Sequence, residues 1–369
     1  MFSDYICKIS NDNYLVWLQN SNKYIVVDST LLKLINDKPK FSQNIFLNKI
    51  SQSLNIDLPR AKDIYNVINN FLLEFKQPTA VIKKPVYQKL IPCNIVCFYT
   101  FNNITIKVCF DSELSKRLID PKFKHLTSLY TDNFKDQYSI FKNKTKIFLF
   151  KNDVIVGSWN KNEMHEFQGK FSMEFLCSLY NNSEHDWMGV FHSSTISKNN
   201  KSIMFTGDSG NGKSTLVSIL MANGYNIIAD DFTPILRSDL KTYCFPTAIS
   251  VKEKSFDLIE SMFPLIKELD QYYIDDIKGN VKYLPPITDR LCANCNSVVW
   301  VNYGMEYDNN LETISKESAL EKFLADAWIS PKEINAKTFM KWVVNTNFYE
   351  LKYSDNKKLI SLVDSLFLN

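Results

Sequence analysis

The sequence predicts an α/β protein in three parts: a small winged-helix-like α+β module (1–78), a mainly antiparallel β layer, and an α/β domain with its core at about 190–330, the last two within 86–369. Three observations predict this. Two short apolar runs and three helical periodicities precede residue 78, and strand-like apolar runs follow residue 86. Further on, the apolar run Lys201–Thr206 passes directly into a glycine loop and then a helical pattern.

In the leading module, Tyr14-Leu-Val-Trp-Leu and Lys23-Tyr-Ile-Val-Val-Asp28 flank Gln19-Asn-Ser-Asn22, which predicts a hairpin. Ser29 or Thr30 is positioned to cap a helix over Leu31–Ile35, and Ser42 to cap a second carrying Ile45, Phe46, Ile50 and Leu54. Pro59 opens a third, with Ile64, Val67, Ile68, Phe71, Leu72 and Phe75 on one face. The order of elements over residues 5–76 resembles the PqqD-like peptide-recognition domains of ribosomal peptide-modifying systems. That resemblance implies capture of a leader peptide as an added strand. The alternative is a winged-helix module used for packing or dimerisation, in which case a homo-oligomer is the partner.

After the Lys83-Lys84-Pro85 break, Ile95–Tyr99, Ile104–Phe110, Thr145–Lys151 and Val154–Trp159 read as strands, with Asn102-Asn103 and Lys151-Asn152-Asp153 as turns. Composition sets limits on function. The 369 residues are 45% apolar and 22% charged, with a net charge of only +3 and no basic tract, so nucleic acid is not the expected partner. No apolar run reaches the roughly 18 residues of a membrane span, and the first residues lack a signal pattern, so a cytoplasmic protein without membrane contact is expected. The eight cysteines are scattered and read as reduced thiols.

Gly207-Asp208-Ser209-Gly210-Asn211-Gly212-Lys213-Ser214 fits G-x-x-x-x-G-K-[ST] between a strand and a helix. Such a loop turns several backbone N–H groups toward phosphates, and the helix adds its positive end. A nucleoside triphosphate with Mg²⁺ is therefore the expected ligand; ATP is the expected nucleotide, and the loop itself does not separate it from GTP. Lys213 is expected on the β- and γ-phosphates, Ser214 on Mg²⁺ and Thr215 on the α-phosphate.

One helix later, Tyr225-Asn-Ile-Ile-Ala229 forms a strand ending in Asp230-Asp231, which puts two carboxylates at the edge where α/β sheets collect ligands. One of the pair can hold the metal and the other accept a proton; the sequence does not say which. Phe191-His192, the glycine loop and Ile228-Ala-Asp-Asp231 together resemble the nucleotide domain of HPr kinase/phosphorylase. Ala248-Ile-Ser-Val-Lys252, Lys278-Gly-Asn-Val-Lys282 and Val298–Tyr303 extend the similarity to HPr-kinase-related proteins, over about residues 94–330.

The resemblance implies a kinase of the fold shared with phosphoenolpyruvate carboxykinase. His192 would lie near the transferred phosphoryl, and Lys252 and Lys282 are candidate phosphate contacts or solvated surface lysines. The chain departs from HPr kinase at Thr215, where that family has Glu, and lacks the glycine-rich stretch tied to phosphorolysis, so HPr itself is not the expected acceptor. A precursor-peptide hydroxyl, a small hydroxyl compound and a nucleotide-switched binding role all stay open. Cys292-Ala-Asn-Cys295 with Cys93 and Cys97 offers a weaker zinc pattern, and His125, His165 and His185 show no ligand spacing.

Overall fold

A computed structural model describes residues 5–76, 93–276 and 278–368. The expected boundary at residues 78–86 lies outside them. In the leading module the hairpin strands are Asn13–Leu18 and Lys23–Asp28, and a third strand, Ile6–Lys8, pairs on the other side of the first. At three residues, that strand is too short for alternation to reveal it.

Helices Ser29–Asp37, Gln43–Leu54 and Leu58–Lys76 follow. The first is capped by Asp28, whose carboxylate accepts from Leu31 N at 2.7 Å, so neither Ser29 nor Thr30 is the cap. Ser29 is drawn instead to Asp12, its hydroxyl bonding that carboxylate. Ser42 holds the cap position of the second helix, but its side chain makes no capping hydrogen bond. On the third, Ile64, Ile68 and Leu72 pack inward while Val67 is exposed; the side chains of Phe71 and Phe75 lie outside the described residues.

Alternation gives the small sheet two apolar faces. Val16, Leu18 and Val27 bury against the three helices, with Leu34, Phe46, Ile50 and Ile68. Leu15 and Trp17 bury on the opposite face, with Phe191, Phe339 and Trp342 of the α/β domain. Polar ties reinforce that contact. Asn22 Nδ2 donates to Ile329 O at 2.7 Å, and Asn13 Nδ2 to Glu317 Oε1 at 3.0 Å.

The middle layer is a five-stranded sheet in the order Ile95–Phe101, Ile104–Phe110, Gln137–Lys142, Lys146–Lys151, Val154–Asn160. It is antiparallel except between the second and third strands. Both expected turns have two residues at positive φ, Asn102-Asn103 and Asn152-Asp153, which suits the twist of a two-residue hairpin. The strand Gln137–Lys142 and the helix Met164–Tyr180 escaped the sequence reading. That helix lays Phe167, Phe171 and Phe175, four residues apart, into the layer's core.

The third part is a ten-stranded mixed sheet organised by the long strand Cys292–Tyr303. On one side it runs parallel to Lys201–Thr206. On the other it pairs with Lys241–Tyr243 near its start and, parallel, with Asn347–Tyr353 toward its end. Ser194–Lys198 lies antiparallel between Lys201–Thr206 and Asn226–Ala229, so those two strands point the same way and end at one edge. Helix Lys213–Ala222 covers this edge region, with Leu216, Val217 and Leu220 packed beside Val299, Val301 and Leu351. A small sheet of Ile249–Lys252, Asn280–Leu284 and Gln271–Tyr273 stands next to it. Among the described residues no helix is long and apolar enough to cross a membrane.

Trp17 is fully buried and donates through Nε1 to Asn22 Oδ1 at 3.0 Å. Trp17→Ala is expected to destabilise the chain by about 3–5 kcal/mol in denaturant unfolding, the usual range for emptying an aromatic core position. A loss below about 1 kcal/mol would mean that the module contributes little to the shared core.

Candidate functional site

The glycine loop joins the strand Lys201–Thr206 to the helix Lys213–Ala222. Gly207 has φ 152°, and a Cβ there would stand 2.8 Å from Val301 O, so only glycine lets the loop leave the strand so close to its neighbour. Gly212 precedes the helix at φ 81°. Asn211 Nδ2 fastens the loop to the long strand through Val301 O and Asn302 Oδ1, both at 3.2 Å. Asp208, Ser209 and Gly210 are exposed at its crest.

Lys213 is buried, and its ammonium curls back into the loop, donating to Gly207 O at 2.6 Å and Asp208 O at 3.2 Å. Burial lowers its pKa, while Asp231 and Asp230 oppose that shift. Thr215 shares a hydrogen bond with Ser255 at 2.8 Å between hydroxyls.

Asp230 is buried at the end of the strand Asn226–Ala229 and receives hydrogen bonds from three elements. Ser194 Oγ donates at 2.6 Å and Ser250 N at 3.0 Å. Ser214 Oγ, from the first turn after the loop, lies 3.1 Å from both carboxylate oxygens. Burial, with Asp231's charge second, pushes Asp230 up to about 7.

Asp231 follows at φ 63°, a left-handed conformation that ends the strand and that Asp tolerates better than most residues. Its carboxylate is partly open, and His192 lies beside it: Nε2 is 3.9 Å from Oδ1, and Nδ1 donates to the Asp231 carbonyl at 3.3 Å. Burial would raise its pKa, but Lys122, His192, Lys213 and Lys278 together hold it below the ordinary carboxylate value. The two aspartates thus differ in state as well as exposure.

Ser214 and Asp230 are hard oxygen donors at contact distance. A divalent cation between them would discharge a buried carboxylate that otherwise holds a proton near neutrality, so the donor set fits Mg²⁺. Among the described residues no cluster of three or more His, Cys, Asp or Glu forms a metal cage.

The other expected contacts separate. Lys252 ends the strand whose Ser250 holds Asp230, and its charge acts on Lys213. Lys282 is used elsewhere: its ammonium donates to Ile266 O at 2.8 Å and sits 5.4 Å from the Phe256 ring centroid. Cys292 and Cys295 are three apart on one strand and face opposite sides, so the C-x-x-C does not form a pincer. His185 bonds Ser330, His125 is half-buried, and His165 is exposed. The sequence reading missed Ser194, the Ser250 amide and Lys122. Nothing local in Asp120-Pro-Lys-Phe123 marks that lysine, whereas Lys278 stood within a segment already noted for similarity.

Neither a family model nor a curated protein matches the chain. Among solved structures it is similar to the Hpr(Ser) kinase/phosphatase from Coxiella burnetii, at 12% identity and a TM-score of 0.25, with 48% of this chain and 96% of that one covered.

The raised pKa of Asp230 has a stability consequence. Below about pH 4 folded and unfolded chains both hold the proton; between there and about pH 7 the unfolded chain has lost it while the folded one keeps it. This group's contribution to stability therefore falls as pH rises across that window, and levels off above it. In EDTA, the melting temperature of Asp230→Asn relative to wild type is expected to climb from pH 4 to 7, and Mg²⁺ to stabilise wild type more at pH 8 than at pH 6. A difference independent of pH would show that Asp230 ionises normally.

Proposed function

We propose that the chain is an ATP- and Mg²⁺-dependent phosphotransferase that moves the γ-phosphoryl group to a hydroxyl. The observation that carries this reading is the sharing of Asp230 with Ser214 at the start of the loop helix, while Asp231 stands beside His192 on the same edge. In this reading the loop 207–214 is a P-loop. Its backbone N–H groups and Lys213 hold the triphosphate, displacing the internal contacts Lys213 now makes with Gly207 and Asp208.

Ser214 and Asp230 would hold Mg²⁺, which supplies charge neutralisation for the phosphate oxygens. Asp231, kept ionised by its cationic neighbours, accepts the proton of the acceptor hydroxyl. The acceptor oxygen bonds to the γ-phosphorus, the bond to the bridging oxygen breaks, and that electron pair leaves on ADP. His192 orients Asp231 through its carbonyl contact and stands at the mouth of the site.

The acceptor we favour is a Ser or Thr hydroxyl of a precursor peptide. In support, Ile6–Lys8 and Lys23–Asp28 are edge strands of the leading sheet, onto which an extended segment can pair. A small hydroxyl compound is the second reading, since the burial of one sheet face against the α/β domain also gives the module a purely structural role.

Lys213→Ala is expected to lower phosphoryl transfer by on the order of a thousandfold, and Asp231→Asn by roughly 10²–10⁴-fold with MgATP binding retained. Radiolabelled transfer and calorimetry measure the two quantities. Wild-type turnover in both variants would overturn the phosphotransferase reading. Affinities of the full chain for acceptor peptides with and without a long leader separate the acceptors: a leader that adds nothing favours the small compound.

A further inference from the structure

We propose that Lys122, delivered by the β layer from outside the glycine-loop domain, faces the transferred phosphoryl group and completes the site. Its place is set by packing. Lys122 O accepts from Ala248 N at 2.8 Å, and two residues on, Ser250 N donates to Asp230 Oδ2 at 3.0 Å. Phe123, directly after Lys122, packs its ring 6.0 Å from Phe245, and Phe232, directly after Asp231, packs 4.5 Å from the same ring. One phenylalanine therefore holds the two neighbouring residues side by side.

The rest of the short segment is fixed as well. Asp120 accepts from Tyr99 Oη at 2.7 Å, Pro121 and Phe123 are buried, and Lys124 pairs with Asp270 at 2.5 Å. Between these anchors Lys122 is half-buried, and no hydrogen bond or ion pair ties its ammonium to a described residue. Its charge nevertheless acts on Asp231, together with those of His192, Lys213 and Lys278. A half-buried ammonium without a direct partner, sharing the one partly open carboxylate of Asp231 with Lys213 and Lys278, leaves a place for a second anion. The transferring phosphoryl group, whose equatorial oxygens carry the charge beside the catalytic base, is the anion the proposed reaction brings there.

This inference rests on the phosphotransferase reading, and its test keeps the two apart. The probe is MgADP with and without aluminium fluoride, a mimic of the phosphoryl group in flight that needs no acceptor, bound to the full chain and followed by calorimetry. In wild type the fluoride complex is expected to bind more tightly than MgADP. Lys122→Gln, or Lys122→Met as a second variant that keeps the apolar stem, should lose that gain by on the order of a hundredfold. Its MgADP affinity and melting temperature should stay near wild type, and Lys122→Arg should recover part of the loss. A Lys122→Gln or Lys122→Met chain that gains from fluoride as wild type does overturns the proposal, as does a wild type that binds MgADP but gains nothing from fluoride. A wild type that fails to bind MgADP overturns the phosphotransferase reading itself.

Discussion

The buried carboxylate of Asp230 is the constraint on which the rest of the site depends. It joins the loop helix through Ser214, the adjacent strand through Ser194 and the small sheet through the Ser250 amide. Removing a charged group from water is costly unless hydrogen bonds and counter-charge replace the lost solvation. Here three donors supply part of that replacement, but burial, with the charge of Asp231 beside it, outweighs them and keeps the pKa raised to about 7.

Around that hub the sheet topology explains why the chemistry falls at one edge. The strands Lys201–Thr206 and Asn226–Ala229 run the same way across an intervening antiparallel strand, so the glycine loop and the aspartates leave the sheet together. The long strand Cys292–Tyr303 supports the loop from the other side, where Val301 O leaves no room for a side chain at Gly207. The β layer reaches the same edge through aromatic packing, Phe123 and Phe232 meeting on Phe245.

The leading module is bound into this arrangement more firmly than its size suggests. Its sheet is apolar on both faces, one against its own helices and one against Phe339 and Trp342. Leu15 and Trp17 therefore contribute to the same core as Phe191, the residue before His192. A ligand paired to an edge of that sheet would lie on an element continuous with the wall of the site.

Much of this was legible in the residues. The strand Lys201–Thr206, the loop after it, the Asp230-Asp231 pair and both two-residue turns of the β layer follow from local chemistry: glycine where φ is positive, Asn and Asp at tight turns, apolar runs ended by charge. What escaped was either too short for periodicity, as with Ile6–Lys8, or decided by competition among nearby acceptors, as with Asp28 capping in place of Ser29.

The difference between the two aspartates was decided by tertiary structure alone. In sequence they are adjacent and identical; burial and the neighbouring charge of Asp231 raise one against the pull of three donors, and Lys122, His192, Lys213 and Lys278, from separate parts of the chain, lower the other. Lys122 and Lys282 make the same point from opposite directions. The unmarked lysine is brought to the site by packing on Phe245, and the one within a suggestive segment is taken by the carbonyls of residues 266–267. Sequence by itself determined the loop and the carboxylates, because their backbone geometry and chemistry are local. Which charges surround them depends on contacts between separate segments of the chain, Lys122 lying more than a hundred positions before Asp231 and Lys278 well after it, and only the folded chain decides those.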